Sequence, residues 1–446
     1  MDVKTQNFLI LGVSKSGYNA GKFVLEKGGK CFLYEEHSSE KIQNAIIELQ
    51  NMGAILVGVP LQDEVLRQID VVVISPGVPI NHEVAVRAKQ AGKRIIGELE
   101  FAFMQKMPRI IAVTGTNGKT TTVNLINAIF AKSNEKSLLV GNVGIPVSSK
   151  IKEIDEETVC ITEVSSFQLE GVKNLTPHVA CILNVSPDHL ERHFDMETYV
   201  YLKKRLLKNQ RESEYSVLNY DDLTVRNMFQ ETAGKVVWVS REQEVTGAYE
   251  NQGKIYYNGE YIMETDELNL KGEHNVFNSL FAIACAKILK LDNGSIISAL
   301  KEFKGVSHRI ELIAEKNGVR YYDDSKATNT ASTITAIKSM NRPTVLILGG
   351  SEKGEEYDEL FRQIKQSNVI HTVLTGASRF NMLDCASKLG LAEFTVTKDF
   401  EHAVRIASMM AKDGDCVLLS PSCASFDSFS NYQERGDSFK KIVEDV

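Results

Sequence analysis

The stretch that most constrains this chain is residues 110–122, IIAVTGTNGKTTT, where an apolar run breaks into a glycine loop and restarts as a helical pattern. The order strand, loop, helix belongs to open α/β sheets. Gly115 and Gly118 let successive backbone N–H groups turn into one hollow, and the helix N-terminus adds partial positive charge. Lys119 supplies a full charge, and Thr120 a hydroxyl suited to Mg²⁺. The hollow fits a nucleoside triphosphate held by Gly115, Thr116, Asn117, Gly118, Lys119, Thr120 and Thr121. The strict P-loop spacing wants glycine at 113, where this chain has Val113, so the loop is a shortened variant.

Composition narrows the partners. The 446 residues exceed one ordinary domain, and 43% hydrophobic residues suffice for several cores. A net charge of −7 without a basic block argues against nucleic acid or an anionic membrane as partner. No secretory leader and no apolar run of membrane-spanning length is expected. The 7 cysteines are scattered without CxxC pairs, which fits reduced thiols rather than disulfides or a zinc site. The expectation is a cytoplasmic, globular, monomeric protein acting on small molecules.

The apolar rhythm divides the chain into three α/β units. Residues 1–100 alternate strands at 7–13, 30–34, 54–59, 70–74 and 93–96 with helices, which predicts a Rossmann-like parallel sheet. Residues 101–304 begin at the glycine loop, continue through strands at 136–140, 158–164 and 178–185, and turn antiparallel over 235–262. They close with a helix over 276–289. Residues 305–446 alternate again, with strands at 318–323, 343–349, 370–375 and 415–420, a second Rossmann-like pattern.

In the first unit Gly12-Val13-Ser14-Lys15-Ser16-Gly17 follows a strand and opens a helix. Ser14 replaces the glycine that lets a dinucleotide pyrophosphate approach the backbone, so Ser14, Lys15 and Ser16 suit another diphosphate instead. Glu35 ends the second strand, where an acid commonly grips a ribose hydroxyl. Gly77 lies in a loop at the same sheet edge. The alternative reading of Gly12 and Gly17 is glycine needed only for a tight turn.

In the second unit Glu163 ends a strand beside the glycine loop, where an oxygen ligand for Mg²⁺ belongs, though a plain surface acid fits the same pattern. His189 ends the next strand and is either a second ligand or a structural histidine. Residues 199–207, YVYLKKRLL, form a helix whose Lys203 and Lys204 most simply face water. Asn142 sits in a turn, and Asn275 and Asn278 share a helix face, where they cap the helix or read a base. In the third unit Arg309 suits phosphate. Loops after three strands carry Asp324, Lys326, Thr328, Lys353, Ser425 and Phe426, which together suit a small anion unless they merely cap helices.

Taken together, TGTNGKTT, ExSSFQLE, NVxxDHLxRH, GxHNxxN, HR and DDSKATN resemble, in order, the motifs of the Mur ligase family, the ATP-dependent amide ligases of peptidoglycan synthesis. The last motif, with LLSPSCASFDSF and NYQERG, is similar to the D-glutamate-adding branch. The resemblance implies joining D-glutamate to UDP-N-acetylmuramoyl-L-alanine with ATP, through an acyl phosphate, releasing ADP and phosphate. It implies two Mg²⁺ ions supported by Thr120, Glu163, His189 and a CO₂-derived carbamate on Lys203. It places ATP at the glycine loop with Asn275, Asn278, Arg309 and Asp324. D-glutamate would meet Lys326, Thr328, Lys353, Ser425 and Phe426. The UDP-precursor would lie on Ser14, Lys15, Ser16, Gly17, Glu35, Gly77 and Asn142. The chain departs from the family at Glu35-Glu36-His37, where Asp, a hydroxyl residue and often Arg are common. The rival readings are a related ligase adding another amino acid, a nicotinamide-dependent redox enzyme and a non-catalytic nucleotide sensor.

Overall fold

A computed structural model describes residues 2–37, 39–351 and 356–446. Three sheets organise it. The first contains β1 (Asn7–Leu11), β2 (Lys30–Tyr34), β3 (Ile55–Leu56), β4 (Val71–Ile74) and β5 (Arg94–Gly97), all parallel in the order β3-β2-β1-β4-β5. VVVI of β4 is buried throughout, as expected for strands covered on both faces. The strand order reverses between β1 and β4, so the loops after those two strands border the crevice where such sheets bind ligands.

The second sheet contains β6 (Arg109–Thr114), β7 (Ser137–Gly141), β8 (Val159–Glu163), β9 (Val179–Ile182), β10 (Tyr215–Asn219), β11 (Lys235–Ser240), β12 (Gly247–Asn251), β13 (Lys254–Tyr257) and β14 (Glu260–Glu264). Their order is β14-β13-β12-β11-β10-β9-β6-β8-β7. The antiparallel expectation over 235–262 needs correction. β11 pairs in parallel with both β10 and β12, and only the β12-β13-β14 ribbon is antiparallel. Asn258 and Gly259 form the turn that joins β13 to β14.

The third sheet contains β15 (Glu311–Lys316), β16 (Val319–Asp323), β17 (Thr344–Gly349), β18 (Val369–Thr375), β19 (Phe394–Val396) and β20 (Cys416–Leu419), in the order β15-β16-β20-β17-β18-β19. β15 is an antiparallel edge strand and the rest are parallel.

The chain separates into two compact units, Met1–Lys304 and Gly305–Val446. The first holds two sheets because one hydrophobic cluster runs through both, from Phe8 and Ile10 through Leu99 and Phe101 to Ala112 and Cys160. Helix Glu98–Gln105 is the splice. Its Phe101 ring meets Phe8 and Phe23 edge-on at 5.8 and 6.0 Å. Its buried Glu100 accepts from the Asn174 backbone and side-chain N–H groups at 3.1 and 2.9 Å. Among the described residues, no helix is long and apolar enough to cross a membrane.

Candidate active site

β6 lies between β8 and β9, so three strand ends converge. Val113 pairs with Glu163 on one side and Cys181 on the other, which sets Glu163 and the segment following Ile182 beside the glycine loop. Gly118 caps helix Lys119–Ser133 at φ +85°, and a Cβ there would lie 2.4 Å from Asn278 Oδ1. Only glycine satisfies both demands. The Lys119 ammonium donates to the Gly115 and Thr116 carbonyls at 2.8 and 2.7 Å, folding its charge over the loop. Asn184, a residue without an assigned role from sequence, accepts from the Thr116 and Asn117 amides at 3.1 and 2.8 Å. Its signal was a polar amide directly after a buried strand. Thr120 and Thr121 are buried at the helix start.

Lys203 and Lys204 part company. Lys203 is 1% exposed, donates to the Gly115 carbonyl at 2.8 Å and lies 4.3 Å from the Tyr199 ring centre. Burial and then the neighbouring Lys119 charge hold its ammonium well below the ordinary lysine value, and Asp188 partly opposes this. Lys204 pairs with Glu231 at 3.1 Å near the surface. The water-facing expectation therefore fails for Lys203, because the helix face shared with Tyr199 and Leu202 turns inward. Tyr199 Oη lies 3.2 Å from Thr116 Oγ1, tying this helix to the loop.

Glu163 is 2% exposed, so the plain surface-acid alternative falls away. One carboxylate oxygen accepts from Asn142 Nδ2 at 2.8 Å, while the other is buried without a protein hydrogen bond. A buried carboxylate oxygen left over beside a phosphate loop fits an oxygen-seeking divalent cation. His189 stands at φ +54° with its ring 4.8 Å from Phe167 and its Nε2 3.5 Å from Asp188. Asn275 and Asn278 are buried on helix Glu273–Ile288, and Asn278 Oδ1 accepts from Thr122 Oγ1 at 3.3 Å. Asn278 adjoins the glycine loop at Gly118, while Asn275 Oδ1 accepts from Asn278 Nδ2 at 3.3 Å and its Nδ2 bonds the Lys271 carbonyl at 2.8 Å.

At the first sheet Ser14 and Lys15 are exposed, and Lys15 Nζ donates to the Gly144 carbonyl. Ser14 caps its helix through the backbone alone. Gly17 is a packing position, since a Cβ would lie 1.9 Å from the Gly12 carbonyl. Glu35 does not stand free for a ribose. Its carboxylate accepts from the backbone amides of Val13, Glu36 and His37 at 2.6, 3.0 and 3.0 Å. Asn142 Nδ2 is committed to the Glu163 carboxylate at 2.8 Å. Ser16 is half-buried and Gly77 exposed.

In the C-terminal unit β16, β20 and β17 are neighbours, so their carboxyl ends lie side by side, and Ser351 after β17 bridges to Ala424 after β20. Asp324 is buried, accepting from Ser420 Oγ at 2.7 Å and the Ile310 amide at 3.2 Å. Burial pushes its carboxyl up to about 7, against those hydrogen bonds and the Arg309 charge. Lys326 lies 5.6 Å from the Tyr432 ring centre, Thr328 is half-buried, Ser425 is buried and Phe426 is 72% exposed. Lys353 lies outside the described residues.

Sequence reasoning passed over Arg435. It is 2% exposed and donates to Ser325 Oγ, the Ser325 carbonyl and the Cys423 carbonyl at 2.9, 2.7 and 3.0 Å. One buried guanidinium thus joins the loops after β16 and β20, and burial lowers its pKa to about 10. In the sequence it stands as the arginine of the NYQERG segment, without a role of its own, at a buried position of helix Tyr432–Glu444.

Fold and site define a P-loop nucleotide-binding enzyme of three α/β domains. Family models match along the chain: "Mur ligase MurD-like, N-terminal domain" over residues 6–97, "Mur ligase middle domain" over 113–286 and "Mur ligase, glutamate ligase domain" over 308–423. Relatives named UDP-N-acetylmuramoylalanine--D-glutamate ligase include one from Clostridioides difficile (39% identical) and one from Lachnospira eligens (38%), each covering 100% of both chains. MurC of Thermotoga maritima has the same fold at a TM-score of 0.62 and 17% identity, covering 99% of each chain. MurF of the same organism, solved with ADP, gives 0.61 at 16%, covering 100% of this chain and 99% of its own. The chain belongs to the Mur ligase family and is an ATP-dependent ligase.

Proposed function

We propose that this enzyme joins D-glutamate to UDP-N-acetylmuramoyl-L-alanine, a step in building the peptidoglycan precursor. A precursor carboxylate oxygen attacks the γ-phosphorus of ATP, the bond to ADP breaks, and an acyl phosphate forms. The glutamate amine then attacks the acyl carbon, and loss of a proton and of phosphate leaves the amide. Two anions must meet in the first step, and at 4 Å two unit charges repel by about 4 kcal/mol at an effective dielectric of 20. Lys119, with its ammonium over the glycine loop, offsets that repulsion and stabilises charge on the transferring group.

The observation that carries this reading is the trio at one loop: Lys119, the buried Lys203 amine and the leftover Glu163 oxygen. Thr120, Glu163, His189 and a carbamate formed by CO₂ on Lys203 would hold two Mg²⁺ ions, which would neutralise phosphate charge. A Lys203 amine biased toward its neutral form is the form that reacts with CO₂, and the product is an anion rather than a cation beside the metals. Asn275 and Asn278 flank the nucleotide, and Arg309 and Asp324 are further nucleotide-contact candidates by family resemblance. Lys326, Thr328, Lys353, Ser425 and Phe426 hold the amino acid. Ser14, Lys15, Ser16, Gly77 and Asn142 border the precursor, with Gly17 and Glu35 shaping the loops around it.

The test is phosphate release with ATP, Mg²⁺ and UDP-N-acetylmuramoyl-L-alanine while the amino acid is varied. D-glutamate should support turnover at least about 100-fold better than L-glutamate or meso-diaminopimelate, as expected where buried polar groups select the substrate. Turnover with meso-diaminopimelate and none with D-glutamate would assign the enzyme to another branch of the family.

A further inference from the structure

Arg192 has no part in either bond-forming step of the reaction. It stands on helix Leu190–His193, three residues after His189, and its guanidinium faces two ways. Nε and Nη2 donate to the two oxygens of Glu170 at 2.9 and 2.7 Å, a two-point ion pair with side chains only 16% and 8% exposed. The remaining N–H groups reach the loop after β4, to the carbonyls of Val78 at 3.0 Å, Gly77 at 3.4 Å and Pro76 at 3.5 Å. Glu170 itself accepts from the Ile80 amide at 3.3 Å. The pair therefore holds consecutive backbone groups of one loop, which apolar packing could not orient.

The other side of the pair leads to the metal-side residues. Arg192 lies over the Phe167 ring at 5.0 Å, and Phe167 also packs against His189 and His193 at 4.8 and 5.4 Å. His193 is buried, with Nε2 2.9 Å from Ser166 Oγ and Nδ1 3.5 Å from Glu170. Desolvating an ion pair costs stability, and such pairs are best explained where they fix a geometry. Here the geometry joins the crevice edge of the first sheet to the segment bearing His189.

We propose that Arg192, braced by Glu170, is a positioning residue that latches residues 76–80 to the metal-side helix and so sets where the precursor carboxylate meets the γ-phosphate. This rests on the reading that the loop at Gly77 borders the UDP-precursor. It predicts a defect specific to that substrate, because a misplacement of about 1 Å remote from the chemistry can cost on the order of 100-fold in rate.

The test uses the full chain as wild type, Arg192→Ala, Arg192→Lys and Glu170→Gln. Because Arg192→Ala strands the Glu170 carboxylate, the double variant R192A/E170Q runs beside it. Amide hydrogen exchange without ligands should quicken at Val78 and Ile80 by about tenfold in R192A/E170Q. kcat/KM for the precursor should fall on the order of 100-fold while KM for ATP moves less than about twofold, with Arg192→Lys intermediate. Unchanged exchange at Val78 and Ile80, an unchanged kcat/KM for the precursor, or a rise in KM for ATP as large as that fall would overturn the latch. Wild-type enzyme that releases no phosphate with the precursor would overturn the functional reading instead, and the exchange comparison would still decide the latch.

Discussion

Lys203 and Lys204 differ by one helix position, about 100° of rotation, and that rotation separates a buried amine on the Gly115 carbonyl from a surface partner of Glu231. Lys203→Ala should lower phosphate release by roughly 100-fold or more, a size typical of removing a group that stabilises transition-state charge. Short carboxylic acids such as formate should restore part of the activity by lending the missing oxygens. Lys204→Ala should stay within about twofold, since exposed ion pairs contribute little. Full activity of untreated Lys203→Ala would remove the role. At this scale the sequence announced residue types but not their commitments. Glu35 looked available for a ribose, yet three backbone amides occupy it. Asn184 and Arg435 act through bonds to backbone atoms of distant segments, which no local pattern encodes.

At the scale of elements, the strand–loop–helix at residues 109–133 was legible because β6 is a continuous buried run and the glycines punctuate it. Edge and half-buried elements were not. β15 has an irregular burial pattern, and β19 is three half-buried residues, so neither shows a clean period. Helix Arg379–Lys388 buries only Met382 and Ala386, which leaves almost no apolar stripe to read. β11 pairs in parallel with β10, whose YSVLN segment went unrecognised, and in parallel with β12 on its other side. The glycine loop itself gives a sharp prediction. Gly118→Ala places a non-glycine residue at φ +85° with its Cβ against Asn278. The backbone alone costs about 1–2 kcal/mol, and Asn278 must also move. ATP affinity measured by calorimetry should fall at least about tenfold, and an unchanged affinity would mean the loop does not hold the nucleotide as described.

Across the whole molecule, each of the three sheets presents its chemistry-bearing loops at the carboxyl ends of adjacent parallel strands: after β1 and β4, after β6, β8 and β9, and after β16, β17 and β20. That regularity made the three-domain α/β architecture readable from the alternation of apolar runs and helices alone. It does not reveal that helix Glu98–Gln105 fuses the first two sheets over one hydrophobic cluster, because the contacts of Phe101 are between segments far apart in the chain. The centre around Gly115, Lys119 and Lys203 is proposed to turn a carboxylate into an acyl phosphate. The direct measurement uses precursor with both oxygens of its alanine carboxylate labelled with ¹⁸O, and mass analysis of the phosphate released during amide formation. Attack of that carboxylate on the γ-phosphorus predicts one ¹⁸O in each phosphate. Turnover that leaves the phosphate unlabelled would contradict it.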